Sequence, residues 1–281
     1  MKEKKTHSKA PLLGKILMKF PTKTPIFYPM WLRKQLTQQQ HTWTIPTLPN
    51  CFDGLTIAYV SDIHYGTYLG KNEVFQLVEK VNALGADFII LGGDYAENYE
   101  GALEFFSFAP KFSPKIATLG VMGNHDSPVH HGDYTPLLEA MKRLGIIPLV
   151  NQTYHHEKEG KTLSFSAPGD YYHGVSDITA LKQQTSSADT TVFLPHTPDV
   201  FYQMEDCFFD LALCGHTHGG QVALFGKILH TSTVHPCPYQ SGEYSFKGAK
   251  VLVSNGVGTS FLPVRFGVKP QFHHITLCSN Q

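Results

Sequence analysis

The stretch Leu55-Thr56-Ile57-Ala58-Tyr59-Val60-Ser61-Asp62-Ile63-His64 decides the fold. Leu55–Ser61 is a short apolar run that ends in a polar loop, the pattern of a strand buried on both faces. The next hundred residues repeat the device. Asn72–Leu84 puts Val74, Leu77, Val78, Val81 and Leu84 on one helical stripe, and Asp87–Leu91 and Lys115–Met122 read as further strands. Tyr134–Leu144 predicts a helix stopped by Gly145, followed by a strand at Ile146–Val150. Tyr154–Ala167 predicts a hairpin turning at Lys158-Glu159-Gly160. Asp177–Gln184 reads as a short helix, Thr191–Leu194 and Asp210–Cys214 as strands, and Ala249–Ser254 and Phe272–Leu277 as late β runs. Local βαβ order followed by β-richness predicts an α/β fold of two packed sheets flanked by helices. With no internal repeat and no long linker after residue 50, residues 50–281 read as one domain behind a segment 1–49.

Composition removes several classes. The 281 residues are 42% hydrophobic and 16% charged, ordinary for a globular chain with a fairly neutral surface. No apolar run approaches the length of a bilayer-spanning helix. Five cysteines (Cys51, Cys207, Cys214, Cys237, Cys278) lack C-x-x-C spacing and read as reduced thiols. The zero net charge hides an asymmetry: residues 1–34 carry +8 and the remainder −8. An acidic body repels phosphate backbones, so no nucleic-acid partner is expected, and no protein partner is indicated.

The basic head has its own pattern. Leu12, Leu13, Ile16, Leu17 and Phe20 form one stripe of a short helix ended by Pro21, with Lys15 and Lys19 on another side. Ile26, Phe27, Tyr28, Met30, Trp31 and Leu32 come next. Basic residues among Leu, Phe and Trp suit a segment lying on an anionic membrane surface. The alternative is a tail or a strap packed on the domain. Gly14, Lys15 and Lys19 interrupt the apolar core, which makes a poor signal peptide, so a cytoplasmic protein peripheral at the inner face of the cell membrane is expected.

Polar clusters stand at the predicted strand ends: Ser61-Asp62-Ile63-His64, Gly92-Gly93-Asp94, Gly123-Asn124-His125-Asp126, Pro195-His196, and Gly215-His216-Thr217-His218-Gly219-Gly220-Gln221. In open α/β sheets such loops face one crevice. Carboxylates, an amide and imidazoles together are the ligand set of hard-to-borderline divalent metals. Asp62 with His64, and His216 with His218, would point the same way from an extended chain. Each motif alone is weak; five in this order at strand ends are not.

These residues resemble the calcineurin-like metallophosphoesterases, whose pattern is D-x-H, G-D, G-N-H-D/E, H and G-H-x-H. The resemblance covers about residues 50–278 and implies a four-layer α/β/β/α sandwich of two mixed sheets. It narrows at Leu194–Asp199, Gly215–Gln221, Asn255–Ser260 and Leu262–Arg265, which look like a membrane-associated bacterial branch that includes UDP-2,3-diacylglucosamine pyrophosphatases. Ala167-Pro168-Gly169-Asp170 departs from the Gly-Val-Asp-Asp-like run expected there. The resemblance implies one metal held by Asp62, His64, Asp94 and His218, and a second by Asp94, Asn124, His196 and His216. It makes His125 a non-ligand acid for the leaving oxygen, oriented by Asp126.

The charge count agrees: two carboxylates, two divalent ions and a shared hydroxide leave about +1, which attracts a phosphate anion. The expected cofactors are two divalent ions (Mn²⁺, Fe²⁺ or Zn²⁺). The expected reaction is hydrolysis of a phosphodiester or pyrophosphate by metal-activated hydroxide, on a phosphoester or a nucleotide-linked lipid such as UDP-2,3-diacylglucosamine. A soluble nucleotide or cyclic-nucleotide phosphodiesterase and a non-catalytic scaffold are the alternatives. His130 and His131 are further substrate-contact candidates, and His235 with Cys237 carries no ligand spacing. The remaining histidines off the motif loops read as structural or surface residues.

Overall fold

In chain order the strands are β1 (Thr37–Thr44), β2 (Leu55–Val60), β3 (Phe88–Leu91), β4 (Ala117–Val121), β5 (Ile146–Leu149), β6 (Gln152–Lys158), β7 (Lys161–Ala167), β8 (Thr190–Phe193), β9 (Leu211–Cys214), β10 (Ala223–Leu224), β11 (Lys227–Ile228), β12 (Gly242–Phe246), β13 (Ala249–Val253) and β14 (Gln271–Cys278). The helices are α1 (Lys71–Asn82), α2 (Tyr99–Phe108), α3 (Thr135–Arg143) and α4 (Ile178–Gln184). The computed structural model describes residues 35–66, 68–128, 133–233 and 238–280. The basic segment 1–34, His130, His131, His235 and Cys237 lie outside the described residues.

Two six-stranded sheets form, ordered β1-β14-β2-β3-β4-β5 and β12-β13-β9-β8-β7-β6. Both are mixed: β2, β3, β4 and β5 run parallel while β14 is antiparallel to β2, and β7, β8, β9 and β13 run parallel between antiparallel β6 and β12. Strand alternation explains the layering. On β2, Ala58 and Val60 face α1 to α3, packing with Val74, Leu77, Phe105 and Met141. Ile57 and Tyr59 face the other way and meet Leu163, Phe165, Val192 and Leu213 of the second sheet. That sheet turns Phe193, Ala212 and Val251 outward onto Leu181 of α4 and onto Val200 and Phe201. The result is the expected α/β/β/α sandwich of two mixed sheets flanked by helices.

The predicted strands and helices return within two residues of their expected limits, and the hairpin turns at Glu159-Gly160 as expected. Several elements go beyond the sequence reading, α2 and β1 among them. α2 starts at Asn98, whose Oδ1 accepts from Gly101 N at 2.9 Å; an early glycine and a Phe-rich run obscure its period. β1 reads Thr-Gln-Gln-Gln-His-Thr-Trp-Thr, with no apolar run, yet pairs in parallel with all of β14. It is an edge strand, where one polar side is tolerated. Residues 37–44, assigned to segment 1–49 by sequence, therefore belong to the first sheet, and Trp43, Ile45 and Leu48 are buried in its core. Cys51, Cys207, Cys214 and Cys278 are in no disulfide. Among the described residues no helix is long and apolar enough to cross a membrane.

Candidate metal centre

Parallel strands point their C-terminal ends to one side of each sheet, and here both sheets open on the same place. The loop after β2 supplies Asp62 and His64, the loop after β3 Asp94, and the loop after β4 Asn124, His125 and Asp126. From the second sheet come His196 after β8 and His216 and His218 after β9. All but Asn124 and His125 are buried, and those two are half-buried.

The backbone departs from the sequence expectation. An extended chain would carry Asp62 with His64 and His216 with His218, but their φ values are 53°, 48°, 68° and 52°. Asp94 is also left-handed, at 54°. A non-glycine residue in this region is uncommon, and five in one site mark strain held by the surrounding fold. Glycines let the loops close on one another. A Cβ on Gly123 would stand 2.1 Å from Asp94 Oδ1, and one on Gly215 would stand 2.3 Å from Asp62 Oδ2. Backbone donors aim the carboxylates: His216 N donates to Asp62 Oδ1 at 2.8 Å, and His125 N donates to Asp94 Oδ1 at 2.9 Å.

Donor atoms converge in three overlapping groups, with ligand atoms within 4.8 Å: Asp62, His64 and His218; His64, Asp94 and His125; Asp94, His196 and His216. His64 Nε2 lies 3.1 Å from His218 Nε2 and 3.5 Å from Asp94 Oδ2. His196 Nε2 is 3.1 Å from Asp94 Oδ2, but the contact lacks hydrogen-bond alignment, and that nitrogen has no bonded partner. Asp62 Oδ2 and His64 Nδ1 are likewise buried without one. The His196 ring is aimed by its other nitrogen, since Nδ1–H donates to Gly92 O at 2.7 Å. His216 Nε2 is 3.2 Å from the Ser232 carbonyl and 2.8 Å from Tyr172 Oη, while Nδ1 faces Asn124 Oδ1 at 2.9 Å. With the Nε2 proton on Ser232, two lone pairs meet at Asn124, which is the arrangement a cation resolves.

The electrostatics ask for the same thing. Burial first, and then the neighbouring imidazoles, hold His64 at about 3. Burial and then the His196 charge lower His216 to about 4. His218 is also driven well down, by burial, His64 and Arg265. These rings stay neutral, the form that coordinates metal. His196 behaves oppositely: burial opposes its proton, yet Asp94 and Asp62 outweigh burial and lift it to about 10. Burial and the Asp94 charge raise Asp62. A buried pocket with two facing carboxylates, neutral imidazoles and unused lone pairs fits divalent cations.

The expected contact between Asp126 and His125 is replaced by two others. Asp126 makes no hydrogen bond to His125. Its carboxylate accepts from Asp94 N (2.7 Å), Tyr95 N (2.9 Å) and Gly123 N (2.9 Å), so it pins the β3 and β4 loops together. It reaches His125 only through its charge. The His125 ring is set instead by Nδ1–H donating to Glu97 O at 2.9 Å, which leaves Nε2 for the site. Burial opposes protonation of His125, but Asp94 and the Glu97 carbonyl raise its pKa.

Sequence reasoning assigned no role to several contributors. Arg265 is fully buried and donates to Asn255 O, Gly256 O and Gly258 O, fastening the loop after β13 behind Asp62 and His218. Its guanidinium stands 3.4 Å from His218 Nδ1. Tyr172 Oη joins His216, Asp199 Oδ2 and Ser232 O. Asp170, in the divergent 167–170 run, accepts from Ser127 Oγ and pairs with His173 Nδ1. That divergence and the match at Leu262–Arg265 were the available signals.

A family model described as calcineurin-like phosphoesterase matches residues 55–220. The chain belongs to this family. A Bacillus subtilis (strain 168) protein described as uncharacterized metallophosphoesterase YkuE is 27% identical over 248 residues, covering 85% of each chain. YpbG of the same organism, described as uncharacterized, is 30% identical over 234 residues, 80% of this chain and 81% of that one. A protein of Escherichia coli (strain K12) described as phosphodiesterase YaeI is 31% identical over 224 residues, 76% of this chain and 79% of its own. This calcineurin-like phosphoesterase is thus a metal-dependent hydrolase of phosphoesters.

Proposed function

We propose that this phosphoesterase works with two divalent ions on a phosphodiester or pyrophosphate at a membrane face. The observation that carries the two-metal reading is the overlap of the donor groups on Asp94, whose carboxylate stands in two of them. Asp62, His64, Asp94 and His218 would hold one ion, and Asp94, Asn124, His196 and His216 the other. Mn²⁺, Fe²⁺ or Zn²⁺ suits this mixture of imidazole and carboxylate. When bound, such ions supply Lewis acidity and make water a better nucleophile near neutral pH.

The chain's own residues do the rest. The Glu97 carbonyl fixes the His125 tautomer, so Nε2 can hold a proton for the departing oxygen. Asp126 keeps Asp94 and Gly123 in register. Ser232 and Tyr172 orient His216 from behind.

Cleavage of a diester is favoured by the likeness to the phosphodiesterase YaeI. The basic, Leu- and Trp-bearing residues 1–34 favour a lipid-linked or nucleotide-linked substrate at the inner face of an anionic membrane. UDP-2,3-diacylglucosamine is the specific candidate, on the resemblance at Leu194–Asp199 and Gly215–Gln221. The test is hydrolysis by metal-loaded protein of a nitrophenyl monoester, a nitrophenyl diester, a cyclic nucleotide and UDP-2,3-diacylglucosamine. Preference for the lipid conjugate supports the reading. Preference for the cyclic nucleotide replaces it with the nucleotide phosphodiesterase, and no turnover of any of them leaves the scaffold.

A further inference from the structure

The chain leaves the metal centre at His218 and returns to it at Ser232, whose carbonyl meets Tyr172 and His216. Between them lies the hairpin β10–β11. Leu224 pairs with Lys227 and Ala223 with Ile228, so Phe225 and Gly226 form a two-residue turn with φ of 50° and 77°. Two positive φ values define the type I′ turn, whose first position favours Asn, Asp or Gly. A bulky side chain there is strained, because its Cβ crowds the backbone carbonyl. Packing gives nothing in return, for Phe225 is 97% exposed.

Phe261 repeats the anomaly, with φ 66° and 66% exposure. Its loop is clasped to the hairpin: Ser260 N donates to Gln221 Oε1 at 2.7 Å, and Ala223 N donates to Phe266 O at 2.7 Å. Nine large apolar side chains are exposed among the described residues, and five of them (Leu224, Phe225, Leu229, Phe261, Phe266) fall on these two segments. Lys227 and Lys269 line a cleft beside the hairpin together with Thr37.

We propose that hairpin β10–β11 and the Phe261 loop form a membrane-docking rim, seating Phe225 and Phe261 in an anionic bilayer beside the mouth of the metal centre. Charge selects this occupant over residues 1–34 themselves. The body as a whole is net negative, but the lining of this cleft carries Lys227 and Lys269 and no acidic side chain, so at this face it opposes the net-positive segment and complements anionic headgroups. Apolar side chains interleaved with lysines suit the headgroup boundary. The rim rests on the membrane-face reading of the proposed function, but it places the apolar anchor on the folded domain.

Phe225→Asn in the full-length protein gives two readouts of opposite sign. Asn accommodates the left-handed turn, so the thermal midpoint rises slightly. Partition onto vesicles of phosphatidylglycerol and phosphatidylcholine in equal parts falls by about tenfold. Phe261→Ser lowers partition by a similar factor, and Lys227→Ala by roughly fivefold. In a Trp31→Phe background, Phe225→Trp emission moves to the blue when these vesicles are added. A Phe225→Asn protein that binds as tightly as wild type, or that melts below it, overturns the proposal. Loss of binding in Lys15→Glu/Lys19→Glu with none in Phe225→Asn also overturns it, while leaving contact through residues 1–34 standing. Wild type that fails to sediment with the vesicles overturns both.

Discussion

The two ends of the first sheet treat the same carboxylate in opposite ways. At the N-terminal end of β3, Asp87 Oδ2 accepts from Thr56 N at 2.8 Å and Thr56 Oγ1 at 2.6 Å, and Oδ1 pairs with Lys115 at 3.4 Å. Burial opposes its charge, yet these bonds outweigh burial and lower its pKa. At the C-terminal end of the parallel strands, Asp62 Oδ2 is buried with no bonded partner, and burial and Asp94 raise its pKa. Two histidine environments differ in the same sense, although not by sheet end, since His273 pairs in register with Tyr59 near the C-terminal end of β2. His273 Nδ1 is 3.0 Å from His41 Nε2 and its Nε2 is 2.9 Å from Ser254 Oγ, while His64 and His196 each keep an unused buried nitrogen. A polar side chain whose lone pairs are matched within the fold serves the fold. Several unmatched ones gathered in one buried cluster leave room for something else.

Asp94→Ala offers the sharpest break. It should lose both metals and at least ~10³-fold in activity, since one carboxylate serves both groups. Elemental analysis showing wild-type stoichiometry would remove Asp94 from its shared position. His125→Ala should keep both ions yet lose about 10²–10⁴-fold in turnover, most for leaving groups of high pKa and least for nitrophenolate. The structure puts His125 within ligand reach of His64 and Asp94, so metal content decides its role: loss of an ion in step with His218→Ala would make it a ligand.

Asp126→Asn should destabilise the protein by about 2–4 kcal/mol, because an amide cannot accept all three backbone N–H bonds with a full charge. Chemical denaturation reads this, and an unchanged midpoint would return Asp126 to orienting His125 alone. At the satisfied end, Asp87→Ala should cost about 1–3 kcal/mol and leave metal content untouched. Metal loss there would erase the contrast between the two ends.

The last effect is a pH slope. Burial, and then the His41 charge, hold His273 at about 3 in the fold, against an ordinary 6.5. The unfolded chain therefore binds the proton first. The stability tied to neutral His273 is complete above pH 6.5 and drains as pH falls toward 3, by up to about 1.4 kcal/mol per pH unit. His273→Gln should flatten the slope of denaturation midpoints below pH 6.5. An identical slope would mean that other groups carry the acid sensitivity.

The sequence determined more of the site than of its frame. Asp62, His64, Asp94, His196, His216 and His218, which the fold gathers into overlapping donor groups, were legible as a candidate cluster because side chains able to bind metal stand together at strand ends. The strands themselves were legible because burial writes a period into the chain. β1 was not, since its three glutamines carry no such period and its place comes from pairing with β14, more than two hundred residues away.

Tertiary structure alone settled three further matters. It put the ligand loops in left-handed backbone, because Asp62 must meet His216 N and Asp94 must meet His125 N across separate strands. It gave Asp126 to the backbone and the orientation of His125 to Glu97 O. It also brought Arg265 behind His218, forty-seven positions earlier in the chain. Local pattern records whether a residue is buried and which face it takes. Which partner satisfies its last hydrogen bond depends on the path of the chain between them, and no local pattern carries that path.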